Sequence, residues 1–309
     1  MQQVVVDRKF IMKPGAIFEG SFGNMFDRGG RTYYVNNITG ASTNGGLSWN
    51  NAMDEISTAI TASEVYRQLQ GTNNNDYVRN TIVVMGTATP YTSLTALPSY
   101  CDIIGIGSDP TGNGAGIVRI GADSGTGEEG VIVTASVRGV NFYNIQFQAG
   151  KDAYAFKGTN LFRSAFYSCV FATNGDPAGD PAAGFEMAIC GGVNFYDCLW
   201  NNQSGETAQF TVGINITGTH FHGCTVKDCY IGGDVGVAIA GTCVNAWGSR
   251  FQDCYIGQLS DTCSIGVDDN ATTGHIVYMH CAIQAADAFD LVDNANRIIG
   301  CTQANAFAT

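Results

Sequence analysis

The sequence is poor in charge, proline and histidine, and each shortage closes off a class of protein. Only 14% of the 309 residues are charged, and 15 Lys and Arg stand against 27 Asp and Glu, a formal net charge of −12. Binding to nucleic acid or to an anionic membrane needs clustered Lys and Arg to neutralise phosphate, so neither is an expected partner. No apolar run reaches the roughly 18 residues of a membrane-spanning helix. The apolar stretch in the opening "MQQVVVDRKFIMKPG" is too short for a secretory signal. There are six prolines and four histidines; no C-x-x-C pair occurs, and no histidine stands at a zinc-like distance from a cysteine. No metal or organic cofactor is therefore expected. The eleven cysteines of this long chain read as buried free thiols, because an unpaired cysteine packs as a small hydrophobe. What is abundant is glycine, 40 residues, beside a 45% hydrophobic fraction, which implies many tight turns around a large apolar interior.

The turns follow a period. "KDCYIGG" at 227–233 returns as "QDCYIGQ" at 252–258. Anchored on Asn144, Ser168, Asp197, Asp228, Asp253, His280 and Gly300, the intervals are 24, 29, 31, 25, 27 and 20. The residue after each anchor is Ile145, Cys169, Cys198, Cys229, Cys254, Cys281 and Cys301. Two before stand Phe142, Phe166, Phe195, Val226, Phe251, Tyr278 and Ile298; three after, Phe147, Phe171, Trp200, Ile231, Ile256, Ile283 and Gln303. Alternation interrupted by one extra residue predicts two short strands meeting at a corner, where Asn, Asp, Ser and Gly tolerate left-handed backbone angles.

A second register places Ile189, Ile214, Ile239, Ile265 and Leu291 on one another, with Met187, Val212, Val237, Cys263 and Phe289 two residues earlier. Each repeat thus holds about three short strands and no crossover helix. Coils stacked at about 4.8 Å put like residue on like. The expected fold is all-β, a single-stranded parallel β-helix of about nine coils. Residues 31–80 form a capping region with a helix over about 49–70 and Ser48 as its N-cap. Residues 81–309 form the β-helix, and residues 1–30 an arm that serves as an anchoring segment.

"TYYVNNITGASTNGGLSWNNAMDEISTAI", "YTSLTALPSYCDIIGIGS" and "VNFYNIQFQ" resemble the pectate-lyase-like right-handed β-helix superfamily, over roughly residues 32–303. Within it the chain is similar to compact structural proteins of tailed phages. The resemblance implies right-handed winding, and enzymes of the superfamily carry acids on the outward face of the strand marked here by Ile189.

Three groups of acids are candidates. Asp197, Asp228 and Asp253 share a column, at about the separation of a retaining glycosidase pair; as a corner column they need no catalytic role. On the Ile189 register the outward positions are small and neutral: Ala188, Gly213, Ala238 and Ala240. The same register offsets Asp268 from Asp290 by about four positions, roughly 13 Å, too far for acid and base to cooperate. "DDNATTGH" at 268–275 holds Asp-Asp and Gly-His too close together to stack on separate coils. The loop "NGDPAGDPAAGFE" brings Asp176, Asp180 and Glu186 as candidates for a cation, a glycan or a neighbouring subunit.

These residues point to a non-enzymatic structural protein on a phage virion surface, on the capsid or associated with the tail. It is expected to be made in the host cytoplasm and to contact other virion proteins through residues 1–30, with a host surface glycan as a further partner. Small outward residues and an uncovered last coil suggest a homotrimer. Two alternatives stand beside it: a tailspike-type or secreted, extracellular polysaccharide depolymerase (lyase or glycosidase), and a carbohydrate-binding adhesin carrying aromatic platforms.

Overall fold

A computed structural model describes residues 30–70, 78–108, 110–111, 116–121, 129–173, 180–201, 209–257, 263–291 and 297–303. The expected arm, 1–30, lies outside them but for Gly30. Within the described residues the strands form three parallel sheets of ten, eight and seven strands, each strand bonded to its equivalents in the coils before and after. The result is an all-β parallel solenoid with one N-terminal α-helix.

The anchor column is the corner between the first and second sheets. Asn144, Ser168, Asp197, Asp228, Asp253 and His280 all hold φ between 48° and 55°, and Gly300 holds 61°. One left-handed residue per coil redirects the chain from strands such as Asn194–Tyr196 to strands such as Leu199–Asn201. Pairing follows the expected columns: Phe142 with Phe166, Phe166 with Phe195, Phe171 with both Phe147 and Trp200. Inside, aromatic rings stack along the axis, Phe166 on Phe195 at 4.8 Å and Phe171 on Trp200 at 4.6 Å. Where sheets meet, rings pack edge to face, as Phe185 does on Phe195 at 4.9 Å. All eleven cysteines are free and ten are buried; Cys301, on the last described coil, is half-buried.

The N-terminal end departs from expectation in a way that covers the sheet. Ser48 opens only a short 3-10 turn, Trp49–Asn51, and the α-helix runs Ile56–Leu69. Between them Met53 is extended, donating to the Tyr34 carbonyl (2.9 Å) and accepting from Asn36 (2.8 Å). That pairing removes residues 52–55 from any helix and satisfies the edge of the first strand, Thr32–Val35. This strand already pairs with Asn80–Met85, so the solenoid's first sheet begins before residue 81. The helix buries Ile56, Ala59, Ile60 and Ser63, and the Asn80 side chain donates to both the Ser63 carbonyl and hydroxyl at 2.9 Å.

The third sheet corrects the second register. Ile214 pairs with Phe185 and Val237, not with Ile189 and Ile239. Ile239 pairs with Ile216 and Asp269, and Leu291 pairs with Asp269 rather than Ile265. Every displacement is by two or four residues. An even slip leaves each side chain on its own face, so alternation alone cannot detect it.

Two features of this sheet matter for stability. Gly184, Gly213, Gly236 and Gly266 stand on successive coils where the interior side chains of the second sheet reach the backbone. A β-carbon on Gly236 would lie 2.5 Å from Ile256 Cγ2 and 2.6 Å from the Gly266 carbonyl oxygen. The inward column also contains a fully buried carboxylate, Asp269, which accepts hydrogen bonds from the Tyr278 hydroxyl (2.9 Å) and the Ala271 N–H (3.1 Å).

Candidate functional site

The corrected register assembles an outward column on the third sheet that reads Lys157, Glu186, Asn215, Ala238, Asp268, Asp290, one residue per coil. The expected neutral face is therefore charged. At one end the Lys157 ammonium lies 2.9 Å from Glu186 Oε1 and 3.7 Å from the Tyr154 ring centroid, and Asn215 donates to Glu186 Oε2 at 2.8 Å. Burial pulls the Lys157 pKa down, but the bonds to Glu186 and Tyr154 outweigh it and hold the ammonium above its ordinary value. Glu129 is raised by burial, against the pull of Lys157.

At the other end Asp268 and Asp290 are directly paired, one strand spacing of about 4.8 Å apart in the backbone. The expected offset of four positions is wrong, and the objection it raised falls with it. Asp268 is half-buried and accepts from Asn270 Nδ2 at 2.5 Å, while Asp290 is exposed. Like charges directly opposite each other on a sheet are destabilising, and no turn requirement calls for them here. Ala238, on the next coil, leaves the floor beside Asp268 low.

The corner acids sit differently. Asp197 and Asp228 line a groove of about 530 Å³ with Asn144, Ser168 and Tyr230. Asp197 accepts from the Ser168 hydroxyl (3.1 Å), Asp228 faces Lys227 (3.5 Å), and Asp253 faces His280 (3.5 Å) and accepts from Gln252 (2.9 Å). Their left-handed φ accounts for the residue types along the whole column.

Of the loop candidates, Asp176 lies outside the described residues. Asp180 accepts from the Gln209 N–H (3.1 Å), and both oxygens of Glu186 are engaged by Lys157 and Asn215. Among the described residues no three His, Cys, Asp or Glu side chains gather closely enough to hold a metal ion.

Outward tyrosines also stack: Tyr143 on Tyr167 (4.8 Å), Tyr167 on Tyr196 (5.3 Å), and Tyr230 on Tyr255 (5.0 Å). Stacking covers both faces of Tyr167 and one face of each of the other four, and all five are half-buried, so they brace the outer wall. An aromatic face is exposed elsewhere, at Trp247.

No family model matches the chain, and no curated protein does. Among solved structures it is similar to the crystal structure of pectate lyase Pel9A, with a TM-score of 0.53 and 15% sequence identity. The likeness covers 84% of this chain and 65% of that one. The fold is thus that of a pectate-lyase-like parallel β-solenoid. No described helix is long and apolar enough to cross a membrane.

Proposed function

We propose that the protein is a glycan-directed solenoid of the polysaccharide depolymerase type, acting through the outer face of its third sheet. The observation that carries this is the direct pairing of Asp268 with Asp290. Carboxyl groups about 5–5.5 Å apart are what a retaining glycosidase needs, one carboxylate attacking the anomeric carbon while the other, protonated, donates to the leaving oxygen. Asp268 is half-buried and accepts from the Asn270 amide, and Asp290 is exposed; the two carboxyls divide the roles of nucleophile and acid between them. Likeness to a pectate lyase fits a polysaccharide substrate and adds nothing about its identity.

Right-handed winding, about nine coils and the division into arm (1–30), cap (31–80) and helix (81–309) belong to this reading, with strand Thr32–Val35 of the cap continuing the first sheet. So does placement as a tailspike-type protein on a virion, with residues 1–30 as the attachment and three copies side by side. In favour of association at the far end, Ile298 and Ile299 on the last strand of the first sheet are 45% and 44% exposed.

Incubation with a panel of bacterial envelope polysaccharides should yield shortened chains with retained anomeric configuration. Asp268→Asn and Asp290→Asn should each lower the rate by about 10²-fold or more, with a melting temperature unchanged or raised because an opposed pair of like charges is removed. A protein that shortens none of the panel, or variants that cut as fast as the parent, would overturn the catalytic reading and leave a non-enzymatic virion protein or adhesin.

A further inference from the structure

Six residues before the first corner, a second strip runs along the solenoid. Strand pairing stacks Arg138, Phe162, Gly191 and His222 on successive coils. The isolated bridge from His220 to Asn245 continues the register, which puts Trp247 on His222. At Gly191 the absence of a side chain lets the Phe162 ring lie across the strand, its Cδ1 2.8 Å from where a β-carbon would fall. Beside it the corner glycines Gly192 and Gly223 open a groove of about 440 Å³, lined also by Arg163, His220 and Asn245. None of the ten lining residues is acidic, in a chain with a net charge of −12.

Three observations give the groove a ligand rather than a shape alone. The first is Arg163. Its corner is turned by glycine on the coils directly before and after it, and the column runs Tyr100, Gly139, Arg163, Gly192, Gly223 and Gly248 at φ of 52°, 70°, 50°, 65°, 62° and 73°. An arginine kept where glycine is the unstrained residue points to a use for its guanidinium. The second is Asn245 Oδ1, which is shielded from solvent and accepts no hydrogen bond among the described residues. It is an acceptor waiting for a hydroxyl. The third is Trp247, 50% exposed at the end of the strip and braced edge-on by His275 at 4.7 Å.

We infer that this strip binds a saccharide bearing a tetrahedral oxyanion, a sulfate or phosphate ester. Arg163 and Arg138 take the anion, with His220 and His222 as further donors across the glycine floor. Asn245 accepts from a ring hydroxyl, and Trp247 covers the apolar face of a neighbouring sugar. The site is separate from the Asp268–Asp290 pair. In strand Val212–His222 the acid column passes through Asn215, seven residues before His222, or roughly 20 Å along the strand.

The test is titration of the full chain, followed by tryptophan fluorescence and calorimetry, with a dextran sulfate oligosaccharide, a phosphorylated mannan oligosaccharide and unmodified dextran of equal length. One or both anionic probes should bind, identifying the ester, and dextran should not. Arg163→Gly should weaken binding about tenfold or more. It should leave the melting temperature unchanged or raised, since glycine relieves the corner, an outcome that a purely structural arginine would not give. Trp247→Ala should weaken binding to a similar extent. The inference is overturned if neither anionic probe binds at millimolar concentration, if dextran or an oligothymidylate binds as well as they do, or if affinity survives both substitutions. None of these readouts needs glycan cleavage, so failure here and failure of the depolymerase reading are distinguishable.

Discussion

Raised from pH 8 to pH 10 under reducing conditions, the protein should unfold in a single cooperative transition. Burial pushes the Cys101 thiol up to about 12 and Cys263 to about 11, and holds Cys190, Cys198 and Cys229 well above the ordinary thiol value. Cys254 is raised by its hydrogen bond with Cys229, and Cys281 by its bond with Cys254, with burial adding in both. In the unfolded chain these thiols ionise near pH 8.5, while in the fold they keep their protons. Above that pH the native state binds more protons than the unfolded state, so stability is complete below about pH 8 and falls as pH rises. Each such thiol removes about 1.4 kcal/mol per pH unit above about 8.5, so Cys101, Cys198, Cys229, Cys254 and Cys263 together remove about 7; Cys190 is left out of the sum because Cys224, bonded to it, is lowered. From pH 8.5 to 10 the loss is about 10 kcal/mol, comparable to the whole stability of a typical domain, about 5–15 kcal/mol. Circular dichroism against pH gives the midpoint, and a thiol reagent in denaturant without reductant should count all eleven cysteines. A native signal that persists at pH 11, or a count of one or two, would show that the thiols are not a protonated interior ladder.

Gly236→Val should abolish the folded state, or lower its melting temperature beyond any surface substitution. The new β-carbon would fall 2.5 Å from Ile256 Cγ2 and 2.6 Å from the Gly266 carbonyl. The side chain of Ile256 is fully buried and the carbonyl belongs to the next coil, so neither can withdraw without parting two sheets. Overpacking a core by a methylene group costs about 1–3 kcal/mol, and here the collision includes backbone. Gly241→Val is the control: the atoms nearest its built β-carbon are 3.5 Å and 4.0 Å away, and its melting temperature should hardly move. Equal losses in the two variants would mean that the general cost of replacing glycine by valine, and not the close approach of the sheets, sets the outcome.

The first corner was fully legible because each coil keeps fixed offsets on either side of its left-handed residue. Phe195, Cys198 and Trp200 stand at −2, +1 and +3 from Asp197 as their equivalents do elsewhere. The same frame reaches further than we read it. Six residues before Asn144, Ser168, Asp197, Asp228 and Asp253 stand Arg138, Phe162, Gly191, His222 and Trp247, and the oxyanion strip could have been read from that offset. The acid column could not. Lys157, Glu186, Asn215, Ala238, Asp268 and Asp290 precede their anchors by 11, 11, 13, 15, 12 and 10 residues. The pairing of the long third-sheet strands shifts register between Met187 and Ile189, and again between Val133 and Ser136. The first adds two residues to one strand and keeps each side chain on its face, whereas the second adds one and breaks the alternation, so neither leaves a constant offset from the anchor. The capping helix was misjudged at its start for a different reason: Met53 has a helical pattern in the sequence but a backbone partner in Tyr34.

The pairing of every coil only with the coils before and after it has a mechanical consequence. A chain pulled along the solenoid axis has no strand pairing beyond neighbouring coils to share the load, so force should peel the structure from an end. One coil of about 25 residues would be released at a time, each adding roughly 85 Å of slack. The Met53 pairing holds the N-terminal end, whereas the strand at the other end, Arg297–Ile299, is exposed throughout. Among the described coils, rupture should therefore start at the one that holds Arg297–Ile299 and travel toward the helix, giving the solenoid a direction under tension.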